Sequence, residues 1–423
     1  MVNILLRNAR IEGEPKLLDV AVGGGLIVDR GPSLDYACQQ EFDLAGRLLI
    51  PGFVEGHLHL DIVLMNSWEH PGRVSTFRSQ AGENQKMASR RRAFTREDIE
   101  ERAGMALRLA SRHGITALRA QCHVDTEVGL KHLEALLSTK ESHSDIVTVQ
   151  VVAFPQQGYL TNPGTLELIR EAFRMGADIV GGSGVRDREG DSMIGAKRHY
   201  DTALNLAAEL DVDLDVHIDH SIPVPARPFE NEELEITHLA RGVIEEGYQG
   251  RVTAGHLNAL GSAPTEVARE AIALIREADI NVVSLPDLYR LARQDTIHVR
   301  RGLTRVKELL GAGVNVSFAS NNVRDAIRPM GNLNLLEEAL VLSYGAHMDT
   351  VDELNTLLRM CTYNAAKALG LRNYGLERGC AADLVVLDAS SPSAAVIGQA
   401  EKIWVFKAGR LVAANNVVNE VFN

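Results

Sequence analysis

The chain has 423 residues, enough for two or three domains or for one large barrel with a small added domain. Hydrophobic residues make up 45% and aromatics only 5%, the pattern of a water-soluble core built mainly from aliphatic side chains. The net charge of −12 argues against nonspecific binding to nucleic acid or to membranes, and no run of about 18 apolar residues or basic leader predicts a span or a signal peptide.

In chain order, the first fifty residues read as short strands. "NILLRNARI", "LLDVAVGGGLIVD" and "EFDLAGRLLI" are rich in Val, Ile and Leu and are punctuated by Gly and Asp. The last fifty look alike, with "AADLVVLDAS" and "EKIWVFKAGRLVAANN". Neither end has material for a core of its own. The pattern therefore predicts a small β domain assembled from residues 1–50 and 375–423, around a larger unit at 51–374.

Inside that unit strands and helices alternate. "LLIPGFVEGHLHL" reads as one long strand. A helix follows from Thr95 to His113, with Thr95 as N-cap, Gly114 beyond the C-cap, and Ile99, Met105, Ala106 and Leu109 as its apolar stripe. Then come "GITALRAQCHVD", "DIVTVQVVAFP", "ADIVGG", "VDLDVHID", "GRVTAGH", "INVVSLP" and "VNVSFAS". Eight βα units predict an α/β fold, a (β/α)8 TIM-type barrel with insertions. The polar segment 66–94 reads as a loop beside the barrel mouth. Its run Arg90, Arg91 and Arg92 reads as a solvated patch.

In such a barrel the chemistry sits at the C-terminal strand ends. Strand one ends "HLHLD", with His57 and His59 on one strand face about 7 Å apart. Strand five ends with His217 in "DVHIDH", strand six with His256 in "TAGH", and strand eight reads "SFASNN". Four histidines at strand ends predict a metal site, since neutral imidazoles bind Zn²⁺ or Fe²⁺ well. His57, His59 and His217 would leave a coordination position open. The four cysteines, Cys38, Cys122, Cys361 and Cys380, lack metal or disulfide spacing and predict free thiols in the cytoplasm.

This set of residues resembles the signature of the amidohydrolase superfamily, and within it the cytosine deaminase and N-isopropylammelide aminohydrolase branch. The supporting segments are "VVAFPQQG", "GADIVGG", "GRVTAGH", "ASNNVRD", "GLRNYGLERGCAADLVVLDA" and "QAEKIWVFKAGR". The resemblance implies a hydrolase that removes ammonia or an amine from a pyrimidine- or triazine-type ring, using water activated by one divalent metal, zinc or iron. It implies that Gln156 reads a ring amide, that His123 lines the pocket or packs against it, and that His256 orients or polarises the attacked group. It also implies that Asn322 and Ile327 border the substrate, and that the chain assembles as a homo-oligomer.

The chain departs from that pattern in several places. Strand eight should end in an aspartate that binds the metal and takes a proton, and Asn321 stands there. A neutral amide cannot serve as that base. Three explanations are open: an engineered trap, a natural change with His220 or His256 moving the proton, or a non-catalytic barrel that binds a heterocycle. His220 also replaces a glutamate of cytosine deaminases, Ile327 replaces an aromatic residue, and Ile62 replaces a lysine of the triazine-type relatives. A cyclic amide ring-opening reaction is the alternative chemistry.

Overall fold

A computed structural model describes residues 2–65, 89–188, 194–220, 222–223, 234–286, 299–300, 302–325 and 327–416. Of the expected loop 66–94, residues 66–88 lie outside the described residues.

The N-terminal strands are β1 (Val2–Ala9), β2 (Leu18–Gly23), β3 (Leu26–Gly31), β4 (Cys38–Asp43) and β5 (Leu48–Pro51). The barrel strands that follow are β6 (Phe53–Leu58), β7 (Ile115–His123), β8 (Thr148–Phe154), β9 (Ile179–Ser183) and β10 (Leu214–Ile218). After a short β11 (Ile222–Pro223) come β12 (Val252–His256), β13 (Asn281–Ser284), β14 (Val299–Arg300) and β15 (Val316–Phe318). The C-terminal strands are β16 (Leu384–Leu387), β17 (Lys402–Lys407) and β18 (Arg410–Ala414).

Among the described residues, eight strands form one sheet in the order β15-β13-β12-β10-β9-β8-β7-β6. Every pairing in it is parallel. Helices cross between the strands, among them Lys131–Ser142, Thr165–Met175, Ile194–Leu210, Glu235–Glu245 and Thr265–Glu277. This is the expected TIM-type barrel. Strands from the two ends of the chain form two further sheets, β3-β2-β1-β4 and β18-β17-β16-β5. Ile4, Leu6, Val20 and Ile27 of the first meet Leu49, Leu384, Val386 and Phe406 of the second in one apolar core.

Two expectations need correction. The run "LLIPGFV" is not one strand: β5 pairs with β16 in the small sheet, while β6 pairs with β7 in the barrel. The break falls at Gly52, where a Cβ atom would stand 2.1 Å from Thr116 Oγ1, so only glycine lets the chain cross there. The helix Arg96–Arg112 has the expected N-cap, with Asp98 N–H donating to Thr95 Oγ1 at 3.2 Å. Its buried stripe is Ile99, Ala103, Ala106, Leu107 and Ala110, whereas Met105 is exposed.

The seam between the first and last barrel strands is made by main chain beyond β15. Asn321 N–H donates to the His57 carbonyl and His59 N–H donates to the Asn321 carbonyl, each at 2.9 Å. Beneath this seam the Glu55 carboxylate accepts from the Ser320 N–H at 3.1 Å and the His57 N–H at 3.2 Å. Burial pushes that carboxyl up to about 7. No helix among the described residues is long and apolar enough to cross a membrane.

Candidate metal centre and active site

The strand ends bring the expected imidazoles together. His217 Nε2 lies 3.1 Å from His57 Nε2 and 3.0 Å from His59 Nε2. All three residues are buried. Burial first, then the neighbouring imidazoles, holds His57 and His217 well below the usual histidine range and brings His59 down to about 3. Three neutral imidazoles with converging Nε2 atoms are a fitting donor set for a borderline divalent ion. β6 ends at Leu58, so His59 lies just beyond the strand, and its ring sits 5.7 Å from that of His57.

His256 stands closer to this centre than a purely polarising role requires. One ligand atom each from His57, His217 and His256 fall within 4.8 Å of one another. His256 has a φ of +79° at the end of β12, a strained turn that swings its ring inward. The His220 ring meets it edge-on at 4.3 Å. Asn321 is buried with a φ of +61°, a conformation asparagine tolerates better than most residues. Phe154 stacks on His217 with centroids 4.3 Å apart and walls one side of the cluster.

The remaining expected residues are placed as follows. Gln156 stands two residues beyond the end of β8 and is half-buried. Asn322 is buried, and its amide donates to the Asp325 carboxylate. The Ile327 N–H donates to the same carboxylate at 2.8 Å, so both residues help to shape one turn. Ile62 is buried and apolar. His123 ends β7, and its ring stacks on His59 at 5.7 Å with a tilt of 29°.

Two supports escaped the sequence reading. Under the site, Gln121 Nε2 lies 3.3 Å from His57 Nδ1 and donates to Asp215 Oδ1 at 3.0 Å. Asp215 Oδ1 is itself 3.7 Å from His57 Nδ1, and Arg119 donates to Asp215 Oδ2 at 2.9 Å. Burial raises the Asp215 carboxyl, and the bonds from Arg119 and Gln121 offset part of that. At 3.7 Å this carboxylate does not hydrogen-bond the ring directly, and Gln121 is the side chain that links Asp215 to His57. The signal was present as "TALRAQCH" and "LDVH", but charged residues within strands read more readily as solvent-facing.

At the rim, Asp61 Oδ2 accepts from His123 Nδ1 at 2.6 Å, from His132 Nδ1 at 2.7 Å and from the His123 N–H at 3.0 Å. Burial alone would raise this carboxyl, but the two histidines hold it well below the carboxylate range. His59, Asp61 and His123 form a second group of ligand-type atoms within 4.8 Å. With one Asp61 oxygen already taken by two imidazoles, its evident task is to orient them. Asp61 was in plain view in "HLHLD". The arginine run also needs correction: residues 89–93 are helical, and Arg90 and Arg92 are exposed as expected, but Arg91 is buried.

The comparisons agree with this architecture. The amidohydrolase family model "Amidohydro_3" matches residues 62–413. An N-isopropylammelide isopropyl amidohydrolase from Pseudomonas sp. is 32% identical over 98% of both chains. The crystal structure of 5-methylcytosine deaminase from Klebsiella pneumoniae, liganded with 5-fluorocytosine, superposes with a TM-score of 0.87 at 31% identity, covering 99% of each chain. N-isopropylammelide isopropylaminohydrolase from Burkholderia multivorans superposes with a TM-score of 0.83 at 28% identity, covering 98% of this chain and 99% of that one. With its barrel, its strand-end histidines and relatives that match it end to end, the chain belongs to the amidohydrolase family.

Proposed function

We propose that this chain hydrolytically removes ammonia or an amine from a nitrogen heterocycle of the pyrimidine or triazine type. The observation that carries this reading is the meeting of three neutral imidazoles, with His217 Nε2 within 3.1 Å of His57 and 3.0 Å of His59. The relatives named for cytosine and ammelide chemistry supply the substrate class.

His57, His59 and His217 would hold one divalent ion, zinc or iron. When bound, such an ion supplies Lewis-acid chemistry and makes water a competent nucleophile near neutral pH. Gln156 is suited to reading a ring carbonyl and an adjacent N–H, because an amide accepts and donates at once. His123, stacked beside His59, and Ile327 complete the substrate's surroundings, while Asn322 holds the turn of Ile327 through Asp325. Asn321 has no acidic proton to exchange, so proton movement passes to the edge-on pair His256 and His220. These imidazoles take a proton as water adds and return it to the departing amine. The cysteines, all free, suit a cytoplasmic setting, and the assembly we propose is a homo-oligomer.

The test is amine release from a panel of amino-pyrimidines and amino-triazines with metal supplied, for this chain and for Asn321→Asp. Turnover by this chain supports proton transfer through His256 and His220. Turnover by Asn321→Asp alone makes Asn321 a disabling residue in an otherwise competent site. Turnover by neither, with metal bound, replaces the hydrolase with a heterocycle-binding barrel. A ring-opened acid in place of free amine replaces it with a cyclic amidase.

A further inference from the structure

Arg91 is 4% exposed, an unusual position for a guanidinium. Its Nη1 lies 3.4 Å from His123 Nε2. Among the described residues no carboxylate reaches ion-pair distance of it. The carboxylates nearest in charge are committed elsewhere. Asp61 is held by His123 and His132. Asp125 accepts from the Glu127 and Val128 N–H groups. Glu127 takes Gln157 and, at 3.4 Å, Arg92. Arg186 is close enough to oppose the charge on Arg91 further.

The neighbouring histidine is set to face it. His123 Nδ1 bonds the Asp61 carboxylate at 2.6 Å, which places the ring proton there and leaves Nε2 as an acceptor toward Arg91. The other face of the story is the stack of His123 on His59. The His123 imidazole thus stands between Arg91 and His59. A guanidinium has five donors, and among the described residues the one side-chain hydrogen bond of Arg91 is its contact to His123. Buried charges are ordinarily paired and hydrogen-bonded.

We propose that Arg91 anchors the ligand through a negatively charged oxygen, so that the favoured substrates are anionic oxo-heterocycles rather than neutral ring bases. This rests on the reading of the site as a heterocycle pocket and adds the charge of its occupant. Arg91 fixes the ring edge remote from the imidazole cluster, and its planar fork favours a ring oxygen with delocalised charge.

The test uses the full chain loaded with zinc and two probes of similar shape: barbiturate, which is anionic, and uracil, which is neutral. Calorimetric titration of the parent chain should show barbiturate binding roughly tenfold or more tighter than uracil. Arg91→Gln should abolish that preference and leave uracil affinity and zinc content unchanged, with Arg91→Lys between them. Equal binding of the two probes by the parent chain, or a preference that survives in Arg91→Gln, overturns the proposal. So does a marked fall in the melting temperature of Arg91→Gln, which would make Arg91 a structural residue. Amine release without charge preference sinks this inference and leaves the hydrolase standing. Arg91-dependent barbiturate binding without any turnover does the reverse.

Discussion

The floor and the rim of this site are both built from buried charged and polar groups, yet they are balanced differently. On the floor, Arg119 meets Asp215, Gln150, Thr253 and the Ala368 carbonyl, and Asp215 in turn meets Gln121 beside His57. Its charges are paired within the fold, with Gln121 Oε1 the one side-chain atom of this group left without a partner among the described residues. At the rim, two histidines hold one oxygen of Asp61 while its other oxygen has no hydrogen-bond partner among the described residues, and no carboxylate among them reaches ion-pair distance of Arg91. A closed network holds a geometry, and an open one is poised for a group that comes from outside.

The sharpest way to break this comparison is to unpair the floor. Asp215→Ala leaves Arg119 charged and buried and should cost about 3–5 kcal/mol in urea unfolding. Arg91→Ala, by contrast, removes a cation that has no carboxylate at ion-pair distance among the described residues and should leave stability nearly unchanged. Next come the ligands themselves: His57→Ala or His59→Ala should lose nearly all bound metal, read by metal analysis after dialysis. The milder Asp215→Asn keeps the shape of the floor but weakens its hold on His57. Metal affinity should fall roughly 10- to 100-fold, measured by competition with a chelator.

A buried cation far from the site gives a control. Lys402 is 3% exposed and donates to Asn334 Oδ1 at 2.7 Å, and burial lowers it to about 8 from 10.5. The folded state therefore releases a proton that the unfolded chain keeps between those two values. Its penalty is full below pH 8 and fades as the pH rises toward 10.5, so this group makes stability rise over that window. Lys402→Met should flatten the rise, an effect on the order of 2 kcal/mol by unfolding at pH 7.5 and 10. The smallest effect belongs to the helix that packs beside the small sheet: Thr95→Ala removes its N-cap and should cost about 1 kcal/mol without touching metal content.

The barrel and the imidazole cluster were legible because each left a local trace. Apolar runs of strand length recur between helices, and the histidines fall at their ends, at 57, 59, 217 and 256. What supports the cluster left no such trace. Arg119, Gln121 and Asp215 lie within strands, where alternation alone does not say which face is the barrel interior. Arg91 sits among three arginines, and only the fold decides that the middle one turns inward. The split of "LLIPGFV" between two sheets depends on Thr116, which lies 64 residues beyond Gly52 and could not be weighed locally.

The seam at Asn321 ties two events together. The main-chain bonds that join strand one to the end of strand eight are made by His57, His59 and Asn321, the same residues that shape the centre. The centre is therefore absent until chain segments more than 260 positions apart have met. Closing so long a loop is slow, and a chain stalled short of it offers a metal only scattered imidazoles. The final placement of His57 and His59 thus waits on the last strand finding the first.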